Sequence, residues 1–367
     1  MKCECTTEKL LHTISVVDKI VGKKESLPVL SCVFISTSKN TLTVKATNLE
    51  TSAQISIPST TEEEGNVAVS SSVLLQTLQT VRDKKLTLSI SDGNLTITTQ
   101  SSITTIKALS SEEFPKLPKP QTLPKETFQK ATFIQGIQSV VYSASQSMIR
   151  PELASIYITK DNGVFTFVAT DSFRLSEKKV QGAPKEGVFE ELLIPYKNAL
   201  EIVHILSLIN TDEIAITVDE GQLYFVIDNN IISSRIIDGT FPNYQEIIPK
   251  SFSTEVTILK EEVASVFKKA RIFSQKTQQI SFHVYPQKKI FSITAQNTDT
   301  GEMSDSLDAA ISGDDLDINF NLKYVSDCLQ SIHSDSITFQ FSGIGKPLVL
   351  KGTTDQSFLY LVMPLNR

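Results

Sequence analysis

No stretch of this sequence approaches the ~20 uninterrupted apolar residues that a bilayer-spanning helix needs, so neither a transmembrane segment nor a membrane partner is expected. The opening Met1-Lys2-Cys3-Glu4-Cys5 holds an acid where a secretory signal would begin its apolar run, and a soluble, cytoplasmic chain is expected. Cysteine and histidine are scarce, four of each. Cys3-x-Cys5 could ligate a metal, but no second cysteine pair follows. His12, His204, His283 and His333 lie scattered without ligand spacing. The simpler reading is a pair of free thiols alternating along a strand in a reducing compartment. No metal and no cofactor is expected.

The motifs of an enzyme are missing as well. Gly343-Ile-Gly-Lys-Pro lacks the spacing and the following hydroxyl of a phosphate loop, and no Gly-x-Ser-x-Gly nucleophile turn occurs. Asp171 beside Arg174, or Asp314-Asp315-Leu-Asp317, would suit metal-assisted chemistry. The second cluster falls in a Ser-Gly-Asp turn, where acids more often face water. A non-catalytic protein is expected. Net charge is −6, which argues against a surface coated with basic patches. Nucleic-acid binding survives that balance, because only the surface facing phosphate must be positive.

What the sequence does have is length, apolar content and repetition. At 367 residues, 40% of them apolar, it is long enough for two or three domains with real cores. Three segments share one pattern: Leu42-Thr-Val-Lys-Ala-Thr-Asn48, Phe165-Thr-Phe-Val-Ala-Thr-Asp171 and Phe291-Ser-Ile-Thr-Ala-Gln-Asn297. Their alanines recur at steps of 123 and 126 residues. Apolar residues at three- and four-residue intervals predict a helix before each strand: Thr7 to Val21, a second starting near Lys125, and Leu259 to Phe273. A second helix recurs at Val69–Leu78, Ile194–Val203 and Phe320–Leu329. Each unit then runs through alternating strands and a turn (Asp92-Gly-Asn, Asp219-Glu-Gly, Gly343-Ile-Gly-Lys) to an apolar-Pro ending at Pro115, Pro242 and Pro364. The proline-rich Lys116–Pro124 suits an extended connector. The expected fold class is α+β, three repeated units of two helices and antiparallel strands, divided at 1–121, 122–249 and 250–367.

Three like units in a row form an arc, and two arcs about a two-fold axis can close into a ring. If the helices line the hole, their lysines meet phosphate without reading bases. Candidates are Lys9, Lys19, Lys23, Lys24, Arg82, Lys84 and Lys85 in the first unit, and Lys130 and Lys197 in the second. Lys268, Lys269, Lys276 and Lys323 belong to the third. Each alone reads more readily as an ordinary solvated lysine; the functional reading concerns the set, of which about half are expected to face the hole. A repeat scaffold that binds proteins and no DNA is the rival reading; it has no use for lysines spread over the second helices.

Val168-Ala-Thr-Asp-Ser-Phe-Arg-Leu175 resembles a middle-domain segment of the bacterial DNA polymerase sliding clamps. The resemblance runs over essentially the whole chain, through Leu27-Pro-Val-Leu30, Asp238-Gly-Thr-Phe-Pro-Asn-Tyr244, Phe320-Asn-Leu-Lys-Tyr324 and Val362-Met-Pro-Leu365. It implies a homodimeric ring (the DNA clamp fold) around double-stranded DNA. It also implies a groove for short peptides of the replicative polymerase, the clamp loader, and other polymerases and repair proteins. By matched position the groove takes Leu153, Thr170, Ser172, Phe173, Arg174 and Leu175, with Pro242 and Ile247 at that domain's end. Tyr324, Pro347, Leu361, Met363, Pro364 and Leu365 complete it, Arg174 being placed to fix peptide polarity. Leu175 and Leu361 read equally as core strand residues. DNA-facing positions implied by the resemblance are Lys24, Arg150 and Lys197, beside Arg82 from the helix argument. The dimer seam is expected near Thr104 and Ile106 on one side and Ile272 and Phe273 on the other, isolated apolar residues that could also be core. Ser172-Phe173 stands where the family usually has Gly-His, which makes the groove floor bulkier and less polar.

Overall fold

The computed structural model describes residues 1–22, 27–122, 127–182, 189–274 and 278–365. The three signature segments are strands, Thr41–Thr47, Val164–Thr170 and Ile290–Asn297. Their alternation buries Leu42, Val44 and Ala46 in the first, and Phe291, Ile293 and Ala295 in the third. The predicted first helices are found at Thr7–Val17, Lys130–Val140 and Lys260–Phe273. The first is shorter than its apolar spacing suggested: Asp18 closes it, its N–H returning to the Ile14 carbonyl, and Ile20 is buried from the turn that follows. The start near Lys125 lies outside the described residues. The second helices are Ser71–Thr80, Tyr196–Leu208 and Leu322–Asp327, the last running on as a 3-10 turn to Ser331.

Each signature ends on a side chain that folds the turn. Asn48 Oδ1 accepts from the N–H groups of Glu50 and Thr51, Asp171 Oδ1 from those of Phe173 and Arg174, and Asn297 Oδ1 from that of Asp299. These are Asx turns, which replace backbone partners with a carboxylate or amide oxygen. Leu49 and Ser172 sit at φ +74° and +75° inside them. The strand then returns antiparallel, setting Ala46 opposite Ala53, Ala169 opposite Ser176 and Ala295 opposite Met303. The third turn is one residue longer.

The chain forms two compact units, one built mainly from Met1–Ile134 with Lys197–Ile236, the other from Glu190–Tyr196 and the stretches beginning at Gln135 and Ile237. The first holds a nine-stranded antiparallel sheet in which Thr51–Pro58 of the first repeat pairs with Asn230–Arg235 of the second. The second unit holds another nine-stranded sheet, joined where Arg174–Gln181 pairs with Phe358–Val362. Each unit also carries a smaller sheet. The five-stranded one ends on the edge strand Ile103–Ile106, and the four-stranded one on the edge strand Gly301–Leu307.

The core of the second unit is rich in phenylalanine: the Phe282 ring stacks on or meets edge-on those of Phe267, Phe291, Phe339 and Phe341. Gly136 is there because nothing larger fits. A Cβ on it would lie 2.2 Å from the Phe167 ring, far inside contact distance. Among the described residues no helix is long and apolar enough to cross a membrane. The four cysteines are unpaired and buried; Cys3 and Cys5 share one face of the strand Lys2–Thr6, and burial pushes their thiols up to about 11 and about 12.

Candidate functional site

Arg174 organises the surface where the second and third repeats meet. It begins the returning strand Arg174–Gln181, is 7% exposed, and has a partner for each guanidinium nitrogen. Nε donates to Asp171 Oδ2 at 2.9 Å, one Nη to Asp327 Oδ2 at 2.7 Å, and the other to the Tyr142 carbonyl at 2.5 Å. Its plane lies over the Tyr324 ring, 4.5 Å from the centroid. Burial opposes the charge, and Tyr360, Asp327 and Asp171 outweigh it, so the guanidinium pKa lies above its ordinary value. The arginine is therefore an internal tie that holds the turn to the helix Leu322–Asp327. The charge that the sequence reading assigned to a ligand is met here by partners within the chain.

Around this tie the chain leaves an apolar rim. Thr170 Oγ1 donates to the Arg174 carbonyl at 2.7 Å, and the Ser172 N–H returns to Thr170 Oγ1, closing the turn that lifts Phe173 to 60% exposure. The Met363 N–H donates to the Phe173 carbonyl and the Leu365 N–H to the Asn319 carbonyl, both at 2.8 Å. The tail Met363–Leu365 is thus pinned on two sides, with Met363 exposed and Pro364 and Leu365 half-buried. Leu175 and Leu361 face each other in the ladder and are buried with Val168, Phe241 and Tyr244, which makes them core strand residues under the rim. Tyr157 stacks on Phe241 at 4.7 Å, and the Tyr244 hydroxyl donates to buried Glu177 at 2.6 Å. Burial and Glu177 together raise the Tyr244 phenol above its ordinary value. That packing fixes the neighbouring segment, which presents Pro242 and Ile247 to solvent.

The remaining groove candidates are less tightly grouped. Tyr324 and Pro347 are half-buried, Tyr324 on the helix capped by Asn321 and Pro347 just ahead of Leu348, which pairs with Val362. Leu153 is buried, its carbonyl accepting from the Ser145 N–H.

The basic candidates are scattered. Arg150 is exposed but bound to Glu152 at 2.9 Å, and Lys130 is engaged with the Ile209 carbonyl. Lys197 is exposed on the helix Tyr196–Leu208. Arg82 lines a cavity of about 570 Å³ with Lys84 and Lys85, the last paired to Glu4. Lys23, Lys24 and Lys276 lie outside the described residues. Lys269 pairs with Asp305 and Lys323 with Asp327. At the expected seam, Ile106 is buried, Thr104 half-buried and Ile272 55% exposed. Phe273 packs partly on the core, its ring 4.0 Å from where Gly301 would carry a Cβ.

The sequence reading overlooked Asp327. It lies seven residues into the second-helix pattern, the position that Glu201 holds one repeat earlier, and it accepts from both Arg174 and Lys323.

Three family models cover nearly the whole chain. Residues 1–118 match the DNA polymerase III beta subunit N-terminal domain, 127–243 its central domain and 245–366 its C-terminal domain. The chain belongs to the DNA polymerase III beta-subunit family. The beta sliding clamp of Synechococcus elongatus is 24% identical over 100% of this chain and 99% of its own. The fold is that of the Bacillus subtilis DNA polymerase sliding clamp, at a TM-score of 0.94 and 21% identity over 100% of this chain and 99% of that one. The Pseudomonas aeruginosa sliding clamp bound to griselimycin matches at 0.92 and 21%, over 100% of both chains. Three beta-clamp domains of mixed α+β structure with antiparallel sheets are thereby shown.

Proposed function

We propose that two copies of this chain close into a ring around double-stranded DNA and tether replication and repair proteins to it, with no chemistry of their own. The observation that carries this reading is a register shared by the two joints inside the chain. At the first, Thr51 pairs with Ser234; at the second, Arg174 pairs with Val362. Thr51 and Arg174 each lie two residues before the partner of the signature alanine, where the third repeat has Gly301. Ser234 and Val362 each oppose the leucine that follows the hairpin turn, Leu223 and Leu348, as Ile106 opposes Leu95.

The same rule applied once more sets Ile106 of one copy against Gly301 of the other, Thr105 against Glu302 and Thr104 against Met303. A five-stranded and a four-stranded sheet so joined make nine strands, the size of the two larger sheets within the chain. An edge strand left unpaired is a template for such an addition. Ile272 and Phe273 flank this line.

Within the ring, Lys24, Arg82, Arg150 and Lys197 are assigned to the DNA side, where phosphate contact is independent of sequence. Domains at 1–121, 122–249 and 250–367 follow the repeat. The rim of Phe173, Ile247, Tyr324 and Met363 is assigned to short linear peptides of the polymerase, the clamp loader and repair proteins. Its floor is Leu153, Leu175 and Leu361; Thr170, Ser172, Arg174, Pro242, Pro347, Pro364 and Leu365 shape its walls. The griselimycin bound to the Pseudomonas aeruginosa clamp supports a ligand site on this fold. Polymerase activity belongs to the assembly, not to this chain.

Thr105→Pro tests the ring. Proline removes one ladder N–H from the edge strand and is expected to halve the solution mass from about twice 40.6 kDa to 40.6 kDa by light scattering. An unchanged dimer mass would overturn the proposed seam.

A further inference from the structure

Against the pinned tail lies a cavity of about 530 Å³. Pro364 and Leu365, which the groove reading also uses, form one wall, so the cavity and the groove share the tail. Ile318 and Ile344 add apolar surface, and Ile344 is 78% exposed in the Gly343-Ile-Gly-Lys turn. The opposite end is polar. The Tyr285 hydroxyl donates to both Asp317 oxygens at 2.8 and 3.0 Å, and His283 Nδ1 lies 2.5 Å from Asp317 Oδ1. His283 Nε2 is 3.0 Å from Thr294 Oγ1. The Asp317 side chain keeps 47% of its surface in solvent, and among the described residues it is the one carboxylate of the lining. Lys288 stands over the Tyr285 ring, 5.2 Å from its centroid.

An apolar wall leading to an anchored carboxylate matches a side chain with an apolar stem and a cationic tip. We propose that this cavity extends the peptide groove and takes an arginine or lysine flanking the apolar residues of a docked peptide. The inference rests on the groove reading above. It gives a role to two features that reading leaves unused, the acid cluster ending at Asp317 and the exposed isoleucine of the glycine turn. Tyr285 and His283 act as positioning residues: they hold the carboxylate at the cavity wall, while Asp317 itself meets the ligand.

The test uses the full chain and blocked pentapeptides carrying two leucines and a phenylalanine, bare or extended by one arginine at either end. Affinity is read by fluorescence anisotropy. One extended peptide is expected to bind the native chain about tenfold tighter than the bare one, as a charge-assisted contact supplies. In Asp317→Asn that gain should vanish with the bare peptide unchanged; Ile344→Ser should reduce it without altering charge. No gain in the native chain, or an equal gain in Asp317→Asn, overturns the extension. Met363→Ala separates the two readings, because it should weaken the bare peptide itself. If the bare peptide fails to bind, or binds Met363→Ala equally well, the groove reading falls and the extension with it.

Discussion

Thr51 and Arg174 occupy one position of the repeat, Glu201 and Asp327 another, and each pair meets at a joint between consecutive repeats. At the first joint the contact is a hydroxyl on a carboxylate, Thr51 Oγ1 donating to Glu201 at 2.5 Å with Asn48 Nδ2 at 3.2 Å beside it. At the second it is a guanidinium on a carboxylate, over an aromatic ring. The backbone ladder beneath is the same, so the difference lies in the side chains. Among the described residues the hydrogen-bond donors to Glu201 are neutral, and burial raises its pKa, against the lowering effect of Thr51 and Asn48. The cationic donor at the second joint has a partner on each of its three nitrogens, and apolar side chains gather around it. One scaffold thus yields a plain joint and a joint with an apolar rim.

Removing the ion pair should have the largest effect. Arg174→Met leaves Asp171 and Asp327 facing each other without their shared cation, and a loss of about 3 kcal/mol is expected in denaturant unfolding. A loss below about 1 kcal/mol would mean that the joint is held by its ladder alone. At the first joint, Thr51→Val removes one donor to a carboxylate and should cost about 1.5 kcal/mol.

The smallest effect is a slope. A carboxyl whose pKa is raised in the folded state binds its proton there before the unfolded chain does, so stability at this site falls as pH rises through that range. Glu201→Gln keeps an oxygen for Thr51 and removes the titration. The native chain should therefore gain stability relative to this variant as pH is lowered from 7 toward the carboxylate range. Parallel stability curves for the two would remove the contrast between the joints.

The triplication was legible because a period of some 125 residues survives where alternation and helical spacing must repeat to fill like cores. The signature alanines and the Asn48, Asp171 and Asn297 turns could be read directly, since both small size and Asx chemistry show in the letters. The role of Arg174 could not. Its charge suggested a ligand contact, whereas its partners Asp327 and the Tyr142 carbonyl lie 153 and 32 residues away. No local pattern reports such a distant pair. Leu175 and Leu361 were ambiguous for the same reason, because alternation says which face a side chain takes and not whether that face is roofed. The end of the first helix was overrun because Ile20 keeps the apolar spacing after Asp18 has closed the last turn.

The joints inside the chain are stitched by main-chain atoms, four or five residue pairs at each. A peptide group offers the same donor and acceptor whatever side chain it bears. Selection can therefore rewrite most of the residues along such a stitch without unpicking it. That is how a sequence sharing about one residue in five with the Bacillus subtilis protein still follows its backbone from end to end.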